Sequence, residues 1–367
     1  CPSSLFVVLV SLAVLIVVVP HLVPVPISQD GAQNAYASFA RSHLDDPVFA
    51  AHFDANQPVT AFGYALLFAG LEALLGWREA LRLSLVVAAL VWTFGWSAPL
   101  SRLPRRRPLA LLVAATAFSW ALQMGFLNYV LGVGLGMAAV AATPLPSAHQ
   151  LEAPATNPTA SPRRWLSFVS LCLAALACHP FGAQLATLGS FVAAQLAARR
   201  GQRLAALAAP LLAGIPTLAV TAWTYFDLDA TVPLLFGSSA RSDFGPGERV
   251  TGWAAYLLPG PPIVAAVLVA VAIVGLGSAC LGAARRRRLR PIEGALVAIA
   301  IASAAAYLST PLNRETWQFM APRFVPPAAI AGMLLFPVER YPLRLATAAA
   351  GPVCAAALVT AATSFRS

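Results

Sequence analysis

The chain has 367 residues, 59% of them hydrophobic and only 10% charged, with a mean hydropathy of +0.74. Soluble domains carry about 25% charged residues, so a water-soluble globular protein is excluded. The 24 basic and 14 acidic residues give a net charge of +10, and every basic residue is Arg. A pI near 10.1 ordinarily raises nucleic-acid binding. Here the Arg residues stand in short runs between long apolar stretches, the pattern of membrane topology, and no nucleic-acid partner is implied. The fold class expected is all-α: a polytopic bundle of transmembrane helices forming one integral membrane domain over residues 1–367.

A bilayer core takes roughly 20 apolar residues per helix. In chain order the apolar segments are 5–25, 59–76, 80–99, 108–123, 126–143, 165–179, 181–197, 204–225, 262–284, 292–309, 324–338 and 343–363, some 11–12 in all. The first run, Leu5–Val25, exceeds the roughly 7–15-residue core of a signal peptide and reads as an anchor; lipidation of Cys1 is the alternative. Trp165–Ala197 carries no formal charge and is too long for one span, so His179-Pro180 is read as the break of a helical hairpin. Segment 108–148 is also uncharged and is read as turning at Gln123–Asn128. Cys1, Cys172, Cys178, Cys280 and Cys354 lack metal-like or disulfide-like spacing and read as small apolar residues.

Five Arg clusters set the orientation: 102–107, Arg163-Arg164, 199–203, 285–290, and Arg340 with Arg344. Two segments separate each cluster from the next, which puts all five on one face, cytoplasmic by the positive-inside rule. The opposite, outer face then holds loops 26–58, 225–260 and 310–323. An odd number of crossings is needed between loop 26–58 and Arg102. Segment 59–76, short and carrying Glu72, is read as lying in the outer interface, the alternative being an N-terminus on the outside.

Residues suited to chemistry concentrate in the outer loops. Asn34–His43 has apolar or aromatic residues at 35, 36, 39 and 40, the spacing of an amphipathic surface helix. Asp30 follows the first span, at a depth where a carboxylate meets lipid head groups. It suits a general base on an acceptor hydroxyl, or a ligand to a divalent cation (Mg or Mn) facing a phosphate. Asp45-Asp46 is a second acidic pair, with Asp46 the further metal-ligand candidate. Against these stand plain solvated aspartates, with Asp45 or Asp46 capping a short helix.

His179, in a charge-free run, is a functional candidate by its depth; the alternative is a neutral ring bonding a carbonyl freed by Pro180. Arg314 and Arg323 lie on the outer face against the positive-inside trend, and Arg grips phosphate oxygens in a bidentate fashion. Their alternatives are an Arg314–Glu315 ion pair and snorkelling of Arg323. Loop 225–260, with Asp227, Asp229, Arg241, Asp243, Glu248 and Arg249, reads as solvated, a substrate lid being the alternative. The GxxxG at Gly132–Gly136 permits close helix packing. Walker, HExxH and Ser-His-Asp patterns are absent from the sequence.

A first span ending in outward Asp30, an amphipathic acidic loop with Asp45-Asp46, and a Pro-preceded segment with Tyr64 resemble the GT-C class of membrane glycosyltransferases. Pro322-Arg323-Phe324, leading into a late helix, resembles a motif of bacterial members. Asn56-Gln57-Pro58 stands where many of them have Lys-Pro-Pro. The resemblance implies a GT-C-like bundle in a bacterial inner membrane, similar to protein mannosyltransferases and aminoarabinose transferases. Its substrate would be a sugar on a polyprenyl-phosphate carrier at the outer face. Asp30 would be the base or metal contact, and Arg314 or Arg323 the phosphate contact. Two rivals stand beside this: a non-catalytic GT-C-like subunit packed with other membrane subunits, and a transporter with His179 or Glu293 in its path.

Overall fold

A computed structural model describes residues 13–14, 16–18, 31–51, 62–145, 162–198, 203–236, 245–258, 262–286, 289–312 and 320–364. Asp30, Arg314, Glu315 and most of the first apolar run lie outside the described residues. Among the described residues every regular element is helical. The chain begins with α1 (Gly31–Ser42) and the short α2 (Pro47–Ala50). Next, α3 (Gly63–Leu75) reverses at Gly76 into α4 (Trp77–Ser97). Gly76 has a φ of +78°, a left-handed conformation that favours glycine and lets the chain turn back at once. Two 3₁₀ turns, Ala98–Arg102 and Pro104–Leu109, lead to α5 (Ala110–Ala115), α6 (Trp120–Gln123) and α7 (Leu127–Ala142). Then follow α8 (Pro162–Cys178), α9 (Pro180–Ala197), α10 (Ala208–Phe236) and α11 (Pro246–Leu257). The last elements are α12 (Pro262–Arg286), α13 (Pro291–Ser309), α14 (Val325–Leu334) and α15 (Leu343–Ser364).

Among the described residues, three helices are long and apolar enough to cross a membrane: Trp77–Arg102, Pro262–Arg285 and Pro291–Ser309. Their length and composition are those of a membrane protein. Leu211, Ile215 and Leu218 on the apolar first part of α10, and Ile263, Ile273 and Leu281 on α12, stand exposed. In water such a surface would drive association; facing lipid it costs nothing.

Several segments differ from the sequence reading. Segment 108–123 is not one span. It breaks at Pro108, Thr116 and Ser119 into a 3₁₀ turn and two short helices, and residues 108–119 are all buried. Its apolarity answers to protein neighbours, not to lipid. Segment 324–338 likewise holds only the ten-residue α14, buried along its whole length. Loop 225–260 is largely helical, because α10 continues to Phe236 and α11 begins at Pro246. Segment 59–76 contains the 13-residue α3, roughly 20 Å long against a hydrocarbon core of about 30 Å. Among the free cysteines of the described residues, Cys172, Cys178 and Cys354 are buried and Cys280 is exposed.

At the centre lies α7, packed against α4, α8 and α9. Glycine makes that packing close. A methyl group on Gly95 of α4 would overlap the Gly134 carbonyl, and one on Gly182 of α9 would overlap that of Gly132. Removing these Cβ atoms lets helix backbones touch, which is how small residues hold membrane helices together. The α9 helix then carries the core outward to α13 and α10, and α13 joins α14, itself packed on α12.

The Arg-rich segments meet at one end of this bundle. Arg106 Nη2 lies 2.9 Å from Glu293 at the start of α13 and 3.0 Å from Glu339 in the turn before α15. Its Nε also donates to Glu339 Oε2 at 3.1 Å, making the second pair bidentate. One largely buried guanidinium thus ties three segments far apart in sequence. Burial of the Glu339 carboxyl pushes its pKa up. The hydrogen bonds it accepts, with the charges of Arg106 and Arg290, outweigh that and hold it below the ordinary value. A carboxylate with a depressed folded pKa stabilises the fold at neutral pH and loses that contribution as pH falls.

Two outcomes are expected in detergent unfolding measurements. Gly95→Ala should lose about 1–3 kcal/mol by overpacking, whereas Gly70→Ala, with nothing within 4 Å of the new methyl, should match or exceed the parent; equal behaviour of the two contradicts the packing account. The stability gap between the protein and its Glu339→Gln variant should be full near neutral pH and close below the ordinary carboxylate range. A gap that does not shrink as pH falls below the ordinary carboxylate range would contradict the ion-pair assignment.

Candidate functional site

The end of the bundle away from Arg106 gathers a different set of side chains. His179 separates α8 from α9 in an extended conformation, φ −163° and ψ 130°, as Pro180 requires of the residue before it. Its Nδ1 accepts a hydrogen bond from the Phe181 amide at 3.1 Å, so the ring caps α9. The sequence alternative had this ring bonding a carbonyl; it bonds an amide instead, because Pro180 leaves the first-turn amides of α9 in need of an acceptor.

Around His179 the rings close up. Tyr129, in the first turn of α7, meets His179 edge-on at 5.7 Å and stacks on Phe181 at 5.8 Å. Phe181 in turn meets Phe324 edge-on at 5.1 Å. The Tyr129 hydroxyl donates to the Arg323 carbonyl, which fixes the 3₁₀ turn Ala321–Phe324 ahead of α14. The Arg323 guanidinium lies over the Phe126 ring, its carbon 4.3 Å from the centroid, a cation–π contact. Trp120 bridges Phe126 at 5.5 Å to Tyr256 of α11 at 5.1 Å. His179, Phe126, Phe181, Arg323, Phe324, Trp120 and Tyr256 are all half-buried, so the cluster is partly open.

Its depth follows from helix register. Gly134 of α7 lies against Val91 and Gly95 of α4, and Asn128 Oδ1 accepts from the Tyr64 amide at 2.8 Å. Tyr64 in turn reaches Ser84, with 3.4 Å between hydroxyl oxygens. At 1.5 Å rise per residue, α4 extends roughly 13 Å past the start of α7. The α3–α4 hairpin therefore stands above the cluster as a wall, its tip showing exposed Leu74, Leu75 and Trp77.

Comparison with family models, with curated proteins and with solved structures finds no match for this chain. The functional reading rests on the site alone.

The sequence-predicted residues divide. Arg323 and His179 are brought together through Tyr129 and Phe181. Asp30 and Arg314 lie outside the described residues. Asp46 caps α2, its Oδ1 accepting from the Val48 amide at 2.8 Å, and Asp45 is exposed beside it. Both belong to a small aromatic hairpin ahead of α3, where His43 stacks on Phe39 at 4.1 Å and Phe49 packs edge-on on Phe39 at 5.7 Å. The amphipathic helix expected at Asn34–His43 is α1, which leans on α3 with Ala40 buried and Tyr36 exposed.

No group of three or more His, Cys, Asp or Glu side chains assembles among the described residues. Asp45 and Asp46 supply two carboxylates, one of them engaged as a cap. Sequence reasoning missed Phe126, Tyr129 and Phe181. The available signal was Asn128-Tyr129 in an otherwise apolar stretch.

Arg249 shows how this end also neutralises a helix terminus. Its guanidinium donates to the Tyr307 carbonyl and, at 3.1 Å, to the Thr310 carbonyl at the end of α13, while Tyr307 Oη donates to the Arg249 carbonyl at 2.9 Å. A cation there offsets the negative end of the helix dipole.

With Cys280 replaced by Ser, single cysteines at Asp45→Cys and Pro104→Cys should react with an impermeant thiol reagent from opposite sides of sealed vesicles. Reaction from the same side would overturn the assignment of the two ends.

Proposed function

We propose that the chain is a membrane glycosyltransferase of GT-C type. It moves a sugar from a polyprenyl-phosphate carrier to an acceptor at the outer face of a bacterial inner membrane. The observation that carries this reading is the Arg323 guanidinium held over Phe126 among half-buried rings, next to His179, at the end away from Arg106. A cation in a partly dry, ring-lined setting attracts a phosphate more strongly than one in open water.

In this reading Arg323, with Arg314, neutralises the carrier phosphate. As the acceptor hydroxyl attacks the anomeric carbon, the bond from that carbon to the phosphate oxygen breaks. The charge that develops on the leaving phosphate is what the arginines stabilise. Asp30 takes the hydroxyl proton. His179 and Tyr129 hold the floor of the site by fixing α9 and the Arg323 turn. The exposed α1–α2 hairpin, with Asp45 and Asp46, borders the acceptor side.

The test uses purified protein in proteoliposomes with a polyprenyl-phosphate-linked sugar. Arg323→Gln should weaken carrier binding about ten-fold, equivalent to about 1.4 kcal/mol, and Asp30→Asn should abolish transfer at normal expression. Carrier binding without transfer by the parent protein would favour the non-catalytic subunit. Absence of carrier binding would refute the reading.

A further inference from the structure

Two further side chains at the Arg323 end of the bundle are set as hydrogen-bond donors. Asn128 Oδ1 accepts from the Tyr64 amide at 2.8 Å, and His179 Nδ1 accepts from the Phe181 amide at 3.1 Å. Each side chain thus spends an acceptor on the second residue of a helix, Tyr64 in α3 and Phe181 in α9. These bonds fix which way round both groups stand. Asn128 turns its Nδ2 away from Tyr64, and the His179 ring is the neutral tautomer with its hydrogen on Nε2. Among the described residues neither Nδ2 nor Nε2 has an acceptor, and both side chains are half-buried.

The packing brings the two together. Asn128 and Gly132 lie one turn apart on the same face of α7. His179 rests on Gly132 so closely that a methyl there would come 2.8 Å from the His179 Cβ. Gly63, just before Tyr64, rests on Cys178, just before His179; a methyl on Gly63 would lie 3.0 Å from the Cys178 Cα. The starts of α3, α7 and α9 therefore meet at this point. Helix N-termini carry positive potential, so three of them together favour an anion. Tyr129 joins the place to the Arg323 turn, its ring meeting His179 and its hydroxyl donating to the Arg323 carbonyl.

We propose that Asn128 Nδ2 and His179 Nε2 together seat the phosphate of the lipid carrier, each donating to a different non-bridging oxygen. The inference rests on the carrier reading above, with Arg323 supplying the countercharge. Neutral donors already held by backbone amides need no rearrangement when the phosphate arrives. The ring that caps α9 is thereby also a ligand contact.

Binding of polyprenyl phosphate, and of the uncharged polyprenol of the same length, to the full chain in nanodiscs tests it. Two variants keep the structural bond and remove the donor. In Asn128→Asp, one carboxylate oxygen still accepts from the Tyr64 amide while the other repels phosphate. In His179→Asn, the new side chain still caps α9 but carries no Nε2–H. Each should lose at least about ten-fold in affinity for polyprenyl phosphate, the scale of one hydrogen bond to a charged group. Polyprenol binding and melting temperature should stay as in the parent. Inorganic phosphate and phosphatidylglycerol, added in excess, should not displace the carrier. Parent-like binding by either variant, while Arg323→Gln loses it, would overturn the seat and leave the transferase reading standing. An equal loss for polyprenol, or displacement by either competitor, would also overturn it. A parent that fails to bind polyprenyl phosphate would overturn both.

Discussion

The contact of α7 with α4 and α9 is the constraint on which the rest of the structure depends. Gly95, Gly132, Gly134 and Gly182 bring backbone against backbone where any side chain would collide. In lipid there is no hydrophobic gain from pairing helices, so close van der Waals contact must hold them. That contact sets the register of α7, and the register sets what its first turn can reach. Asn128 meets the Tyr64 amide and Tyr129 meets the Arg323 carbonyl only because α7 starts well below the tip of α4. A helix spaced further out by ordinary side chains would leave the α14 turn untethered and Arg323 free to swing into solvent.

The two ends of the bundle use arginine in opposite ways. At one, Arg106 pairs with Glu293 and Glu339 and serves as a tie between segments. At the other, Arg323 meets a ring face through its guanidinium and is steadied through its backbone. Arg249 takes a third role, closing the C-terminus of α13. In a chain with so few charges, Arg106, Arg249 and Arg323 have three distinct settings, which separate tie, cap and candidate ligand contact.

Much of the helix pattern was legible in the sequence. The His179-Pro180 hairpin, the turn before α7, and α4, α12 and α13 follow from apolar length and from proline. Convergence of the segments around Arg106, Arg290 and Arg340 at one end was also legible, through the spacing of two segments between Arg clusters; the Arg106 pairs with Glu293 and Glu339 join them. Segments 108–123 and 324–338 misled because burial in protein and immersion in lipid leave the same apolar signature. The helical stretches of 225–260 were hidden by the Asp, Gly and Pro residues that interrupt hydropathy without preventing a helix. Capping by Asp46 was one of two readings its position allowed. The aromatic floor was not legible, since Phe126, Tyr129 and Phe181 look like ordinary core in an apolar run until three separate helices bring them together.

The central claim is that the end bearing Arg323 receives a lipid-linked phosphate. The most direct measurement is a cryo-EM map of the protein in nanodiscs containing polyprenyl phosphate. The account predicts head-group density against the Arg323 guanidinium, bordered by Phe126 and by the α3–α4 wall. Head-group density confined to the Arg106 end, with the space over Arg323 filled by protein side chains, would contradict it.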